Sequence, residues 1–158
     1  MSAKVQQMEP RAKALAALST SLGPSTLFDM TLEEAYPEAD PLHEPFHNLV
    51  LVQYQTAPTH TKGGLALSEE TRAVIQANQQ VVKVIATGPM AFCNRETGVL
   101  WHEGAWCKVG DYIRVGKYTQ DKWEVRLASG GVAIFGLVED LHLRGRVIGD
   151  PLAVMVYI

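Results

Sequence analysis

The feature that most restricts this chain is the way glycine divides its second part into short β-forming runs. Residues 47–55 (HNLVLVQYQ), 80–86 (QVVKVIA), 111–115 (DYIRV), 122–127 (KWEVRL), 132–135, 141–146 and 152–158 (LAVMVYI) are rich in β-branched and aromatic side chains. Those types fit a pleated, half-buried surface. Between the runs stand Lys62-Gly63-Gly64, Gly88-Pro89, Gly98, Gly110-Asp111, Gly130-Gly131 and Gly145, which are turn signals. Many short strands broken by glycine predict a mainly β fold, a small barrel or a sandwich. The 122–127 run alternates charged with apolar residues, so one of its faces is expected to be wet. No repeat with a period of roughly 20–50 residues is present, which excludes a solenoid.

The first quarter of the chain reads differently. Of 158 residues with a net charge of −3, residues 1–40 hold Lys4, Arg11 and Lys13 against Glu9, Asp29, Glu33, Glu34, Glu38 and Asp40, and the remainder balances. The whole net charge therefore belongs to an acidic arm. Pro10 suits the first position of a helix, and Ala12, Leu15, Ala16 and Leu18 form a narrow apolar stripe that Gly23-Pro24 stops. Thr31-Leu32-Glu33-Glu34 has the pattern of a capping box and predicts a second helix. Pro37 and Pro41 limit it to a turn or two.

Several function classes are excluded. No apolar run approaches the roughly 18 residues that cross a bilayer, and the first ten residues lack the apolar core of a secretory signal. A cytoplasmic location is expected. The charge balance gives no footprint for nucleic acid or for an anionic membrane. Gly-x-Ser-x-Gly, Gly-x-Gly-x-x-Gly and P-loop patterns are absent. Asp111, Glu139-Asp140 and Glu69-Glu70 lie near expected turns, where solvated charge is the ordinary state, and no acid–base pair stands out. The chain is expected not to be an enzyme and to need no cofactor. Cys93, His102 and Cys107 fall close together but match no zinc spacing. Two reduced, structural thiols are expected, with a metal-binding or small-ligand barrel as the alternative. His142 is expected in an alternating strand, facing away from Leu141 and Leu143.

One segment does not fit a plain barrel. About 25 residues, 56–80, separate two strong strands, where a loop of roughly 5 is ordinary and a long one is usually functional. The segment is small and polar except for Leu65-Ala66-Leu67, directly after Gly63-Gly64. Leucines inside a polar loop need a receiver: either the domain's own core or a partner.

A strand, a polar loop with Gly63-Gly64-Leu65-Ala66-Leu67, the strand end Val84-Ile85-Ala86-Thr87-Gly88, a tight hairpin, Lys108-Val109-Gly110-Asp111-Tyr112-Ile113, then Val132-Ala133-Ile134-Phe135 and Val138-Glu139-Asp140-Leu141 follow in order after Pro45-Phe46-His47-Asn48-Leu49-Val50-Leu51-Val52. This succession resembles the chaperonin-10 (GroES-like) co-chaperonins, over about residues 44–147. The family's Arg-Pro-Leu opening stands here as Glu44-Pro45-Phe46, and Ala66 replaces the larger residue common at the centre of its hydrophobic tripeptide. Residues 1–40 and 148–158 are additions, as in the elaborated members that resemble those of bacterial viruses or prophages.

The resemblance implies a small, partly open GroES-like β-barrel over 41–147, with a long mobile loop and a roof hairpin near 94–98. A helical acidic arm (1–40) precedes it and an apolar C-terminal strand or tail (148–158) follows. It implies a homo-oligomeric ring, usually of seven subunits, that caps a chaperonin cylinder and encloses an unfolded client during ATP-dependent folding. Gly63 and Gly64 would keep the loop loose, and Leu65, Ala66 and Leu67 would dock on the chaperonin apical domain. Tyr118 would face the cavity, with cross-strand packing as the alternative. The 141–147 strand would pair with a neighbour's N-terminal strand to close the ring. In a phage-encoded form the host cytoplasm is the expected compartment. A virion or scaffold ring built from the same barrel is the alternative function.

Overall fold

Six strands form one antiparallel sheet in the computed structural model, which describes residues 30–57, 64–77, 79–116 and 121–154. They are β1 (Leu49–Tyr54), β2 (Val81–Thr87), β3 (Tyr112–Val115), β4 (Lys122–Arg126), β5 (Val132–Glu139) and β6 (Leu143–Arg146). The order across the sheet is β4-β5-β1-β2-β3-β6, so β4 and β6 are the edges of an open sheet. The chain is mainly β, with two helices among the described residues: α1 (Leu32–Ala35) and α2 (Glu69–Ala77).

β1 lies at the centre because its run of aliphatic residues can bury both faces. Val50, Val52 and Tyr54 point to one side and pack with Val82, Val84, Ile113, Val115, Ile134 and Val138. Leu51 points to the other side, with Ala133 and Phe135. Register follows from this alternation, since a slip of one residue would exchange the two faces. Leu51 stands opposite Leu137 of β5 and Ala86 of β2, and a bulge between Leu51 and Val52 shifts the β2 pairing.

The two faces have different covers. On the first, Ala91, Phe92 and Cys107 are buried against the sheet, with Trp101 and Trp106 packed beside them, so the segment between β2 and β3 folds over this core. On the second runs the described end of the N-terminal arm. Thr31 caps α1 in a full capping box with Glu34 (3.2 and 2.9 Å), and the helix makes one turn before Pro37. The chain then crosses the sheet as a strap. The buried Tyr36 hydroxyl donates to the Val81 carbonyl (3.1 Å), and its ring meets Tyr112 edge-on at 5.2 Å. Gln53 Nε2 donates to the Pro37 carbonyl (2.6 Å), and Trp123 Nε1 to that of Pro41 (2.9 Å). His43 lies 3.9 Å from the Trp123 ring centre, and Trp123 stacks on Phe135. Backbone carbonyls of a proline-rich segment thus satisfy polar side chains that the sheet would otherwise leave buried and unpaired.

Four sequence expectations change. The 56–80 segment is not loop throughout, because α2 occupies much of it. The 132–135 strand runs on to Glu139, and Gly136 is what permits it: a Cβ there would sit 2.6 Å from the Tyr54 ring. Asp140–His142 is a 3-10 turn before β6, so His142 and Leu141 (53% exposed) both face solvent and only Leu143 packs on the core. The expected 152–158 strand begins instead as a 3-10 turn, Pro151–Ala153, because Asp150 caps the Leu152 amide (3.0 Å) and Pro151 has no N–H to offer a ladder. The first expected helix and residues 155–158 lie outside the described residues.

Candidate functional site

The tripeptide is held between β1 and the capped start of α2. Gly64 has φ +83°, a left-handed conformation that glycine adopts without strain. Leu65 follows, 71% exposed, then Ala66, exposed, and Leu67, half-buried. Ser68 ends the segment as the N-cap of α2: its Oγ accepts from the Thr71 amide (3.2 Å) and donates to Thr71 Oγ1 (2.9 Å), while its carbonyl accepts from the Arg72 amide (3.0 Å). Glu69 and Glu70 sit in the first turn, where the helix dipole favours negative charge. The sequence reading missed this helix; the signal that marks it is Ser68-Glu69-Glu70-Thr71, a serine followed by acidic residues before Val74 and Ile75. Gly63 and Tyr118 lie outside the described residues.

A second exposed apolar element is the hairpin near 94–98. Cys93 and Leu100 form its β-bridge, the Asn94 amide donates to the Val99 carbonyl (2.8 Å), and the Asn94 side chain accepts from the Glu96 amide (2.9 Å). Val99 (63%) and Leu100 are exposed.

The hairpin's base is fixed by a residue that sequence reasoning placed in solvent. Asp140 is buried (2% exposed). Its carboxylate accepts from the Phe92 amide (2.9 Å), the Leu141 amide (2.8 Å) and Asn48 Nδ2 (3.3 Å). Asn48 in turn is bonded to the His47 ring (3.0 Å). Phe92 and His47 both have positive φ, +64° and +52°, a strained conformation for such residues that needs surrounding bonds to hold it. Gly88 lies between them, where a Cβ would come within 2.4 Å of the His47 carbonyl oxygen. The residue before β1, the base of the hairpin after β2 and the turn after β5 are therefore joined at one carboxylate. Two of its three partners lie 92 and 48 positions away in sequence, which is why no local pattern marked it.

The cysteine and histidine group does not assemble. Cys93 and Cys107 are free thiols, and Cys93 Sγ donates to the Ala91 carbonyl (3.5 Å). Burial pushes the Cys107 thiol up to about 11, with the Asp111 carboxylate adding and the Arg146 guanidinium opposing. It is thus protonated at neutral pH and a poor nucleophile or ligand. Among the described residues no group of three His, Cys, Asp or Glu side chains is placed to hold a metal ion. A shallow cleft of about 280 Å³ lies beside the β6 edge, lined by Trp106, Cys107, Ile113, Leu143, Arg144 and Arg146 among others. Among the described residues no helix is long and apolar enough to cross a membrane.

Compared with known proteins, the chain matches no family model and no curated protein.

Proposed function

We propose that this protein is a co-chaperonin of the chaperonin-10 type, a GroES-like barrel whose ring caps a chaperonin cylinder during ATP-dependent folding of a client protein. The observation that carries the reading is Leu65: an exposed leucine, next to a glycine with positive φ, in an excursion between two central strands. An exposed apolar side chain is what a docking anchor requires, and Leu65 shares its exposure with Leu42 and Phe46 but alone of the three lies in the long excursion. The hairpin in the segment that folds over one face and the outer edge of β6, which pairs with no strand among the described residues, add support, the first as roof and the second as the edge that a neighbour's N-terminal segment joins to close a homo-oligomeric, heptameric ring.

The mechanism follows from multivalency. A single loop pays ordering entropy on docking and binds weakly. Loops on one ring act together, and avidity adds roughly 10²–10⁴-fold. In this scheme Gly64, Leu65, Ala66 and Leu67 contact the chaperonin apical domain. The protein itself carries no catalytic group or cofactor in this scheme and works in the cytoplasm, that of the host if a phage encodes it. Pull-down of a purified chaperonin in the presence of ADP tests the reading. Capture that depends on ADP supports it. A ring that binds no chaperonin and instead co-assembles with virion proteins supports a structural role, in which the extra N-terminal arm and the apolar 152–158 segment would serve as assembly elements.

A further inference from the structure

We infer that Ser68 is a positioning residue for docking, because it caps α2 directly behind the Leu65-Ala66-Leu67 anchor and so favours the formed helix. This inference rests on the co-chaperonin reading and adds to it that the loop is preorganised on its C-terminal side rather than ordered wholly on contact.

The observations are local and physical. α2 has nine residues, and isolated helices shorter than about 12–15 residues are marginal in water, so its terminal bonds decide how fully it forms. At its N-terminus Ser68 makes the two side-chain bonds to Thr71 described above, and Glu69 and Glu70 follow in the first turn. Leu67 is the residue immediately before the cap and is half-buried, whereas Leu65 two positions earlier is exposed. A formed helix therefore fixes the direction in which the anchor leaves Ser68. The backbone of 69–77, which a fully loose loop would have to order on binding, is already ordered. Preorganisation of this kind raises affinity by lowering the entropic cost of association, with no new contact to the partner.

A serine-to-alanine change at a helix N-cap shifts the helix equilibrium by roughly fivefold. The binding-competent fraction scales the apparent affinity, so each loop weakens by about two- to fivefold. Acting at every loop of a ring, this predicts a loss of capping of more than about tenfold.

The test uses the full-length ring, titrated against purified chaperonin with ADP, for Ser68→Ala, Ser68→Asp and Leu65→Ala, with melting temperatures for each. Aspartate is as good an N-cap as serine. The inference predicts that Ser68→Ala weakens capping more than about tenfold, that Ser68→Asp caps like the parent, and that both melt within about 2 °C of it. Equal impairment of Ser68→Ala and Ser68→Asp means that the hydroxyl touches the partner, and it overturns the inference. A large drop in melting temperature for Ser68→Ala also overturns it, since the residue is then part of the barrel's stability. Normal capping by Ser68→Ala alongside failed capping by Leu65→Ala overturns the inference alone. Normal capping by Leu65→Ala removes the co-chaperonin reading and the inference with it.

Discussion

Leu51 and Leu65 are the same residue type, fourteen positions apart, with opposite fates: 1% and 71% exposed. Leu51 lies on a strand paired on both sides, with Phe135 and Ala133 beside it and the N-terminal strap across that face. Leu65 follows Gly64, whose φ is positive, and precedes the Ser68 cap of α2 by three positions. The contrast shows that aliphatic content does not separate core from docking surface in this chain. What separates them is cover: Leu51 lies on a strand between β5 and β2 and is delivered to a face that other elements cover, whereas the Leu65 side chain, just ahead of α2, stays in solvent.

The largest effect that sharpens this contrast belongs to the core side. Leu51→Ala should destabilise the fold by about 2–5 kcal/mol, as expected for a buried leucine whose cavity cannot fully collapse. Urea unfolding with an unchanged m-value checks it. A cost below about 0.5 kcal/mol, the range of surface substitutions, would place Leu51 with Leu65 and dissolve the comparison.

Asp140→Ala follows, at about 3 kcal/mol, because it strands the Phe92 and Leu141 amides and the Asn48 side chain without an acceptor. Amide exchange at Phe92 should speed up along with the loss of stability. Protection unchanged at Phe92 would mean that the hairpin is held from elsewhere.

A smaller effect comes from Cys107. The folded thiol is pushed up to about 11 by burial, against about 8.5 for an unfolded cysteine. The fold therefore keeps this contribution below about pH 8.5 and loses it as pH rises towards 11, where the unfolded thiol ionises first. Urea midpoints should fall over that window, and Cys107→Ala should remove that part of the slope. Alkylation of folded Cys107 at pH 8 should also be slow, and a rate like that of a free thiol would contradict the burial.

The smallest effect is expected at the Arg95–Glu139 pair. At 3.8 Å with both side chains about half exposed, it should contribute no more than about 1 kcal/mol and fade with salt.

The pattern of what the sequence disclosed follows the same divide. β1 to β4 were legible because Val, Ile, Tyr and Trp cluster between glycine turns, a local signal. The capping box at Thr31 and Glu34 was legible for the same reason. Asp140 was not, since its burial depends on Asn48 and Phe92, which only the folded sheet brings to it. Nor was the strap's path: Pro37 and Pro41 announce the end of a helix, but only Gln53 and Trp123 show what their carbonyls are for. α2 was hidden by its place after Gly63-Gly64, where a polar stretch reads as loop even though Ser68, Glu69 and Glu70 mark a helix start. At the site itself the sequence singled out Leu65 and Leu67 from their apolar character in polar surroundings. It carried no sign that one is exposed and the other half-buried.

The most direct measurement is therefore made on Leu65→Ala, with thermal melting and ADP-dependent chaperonin capping read from the same preparation. The account predicts a melting temperature within about 2 °C of the parent and a loss of capping of at least about tenfold, the loss of one buried leucine side chain (about 1.5–3 kcal/mol) being repeated at every loop of the ring. A ring that melts substantially lower yet caps chaperonin normally would contradict it.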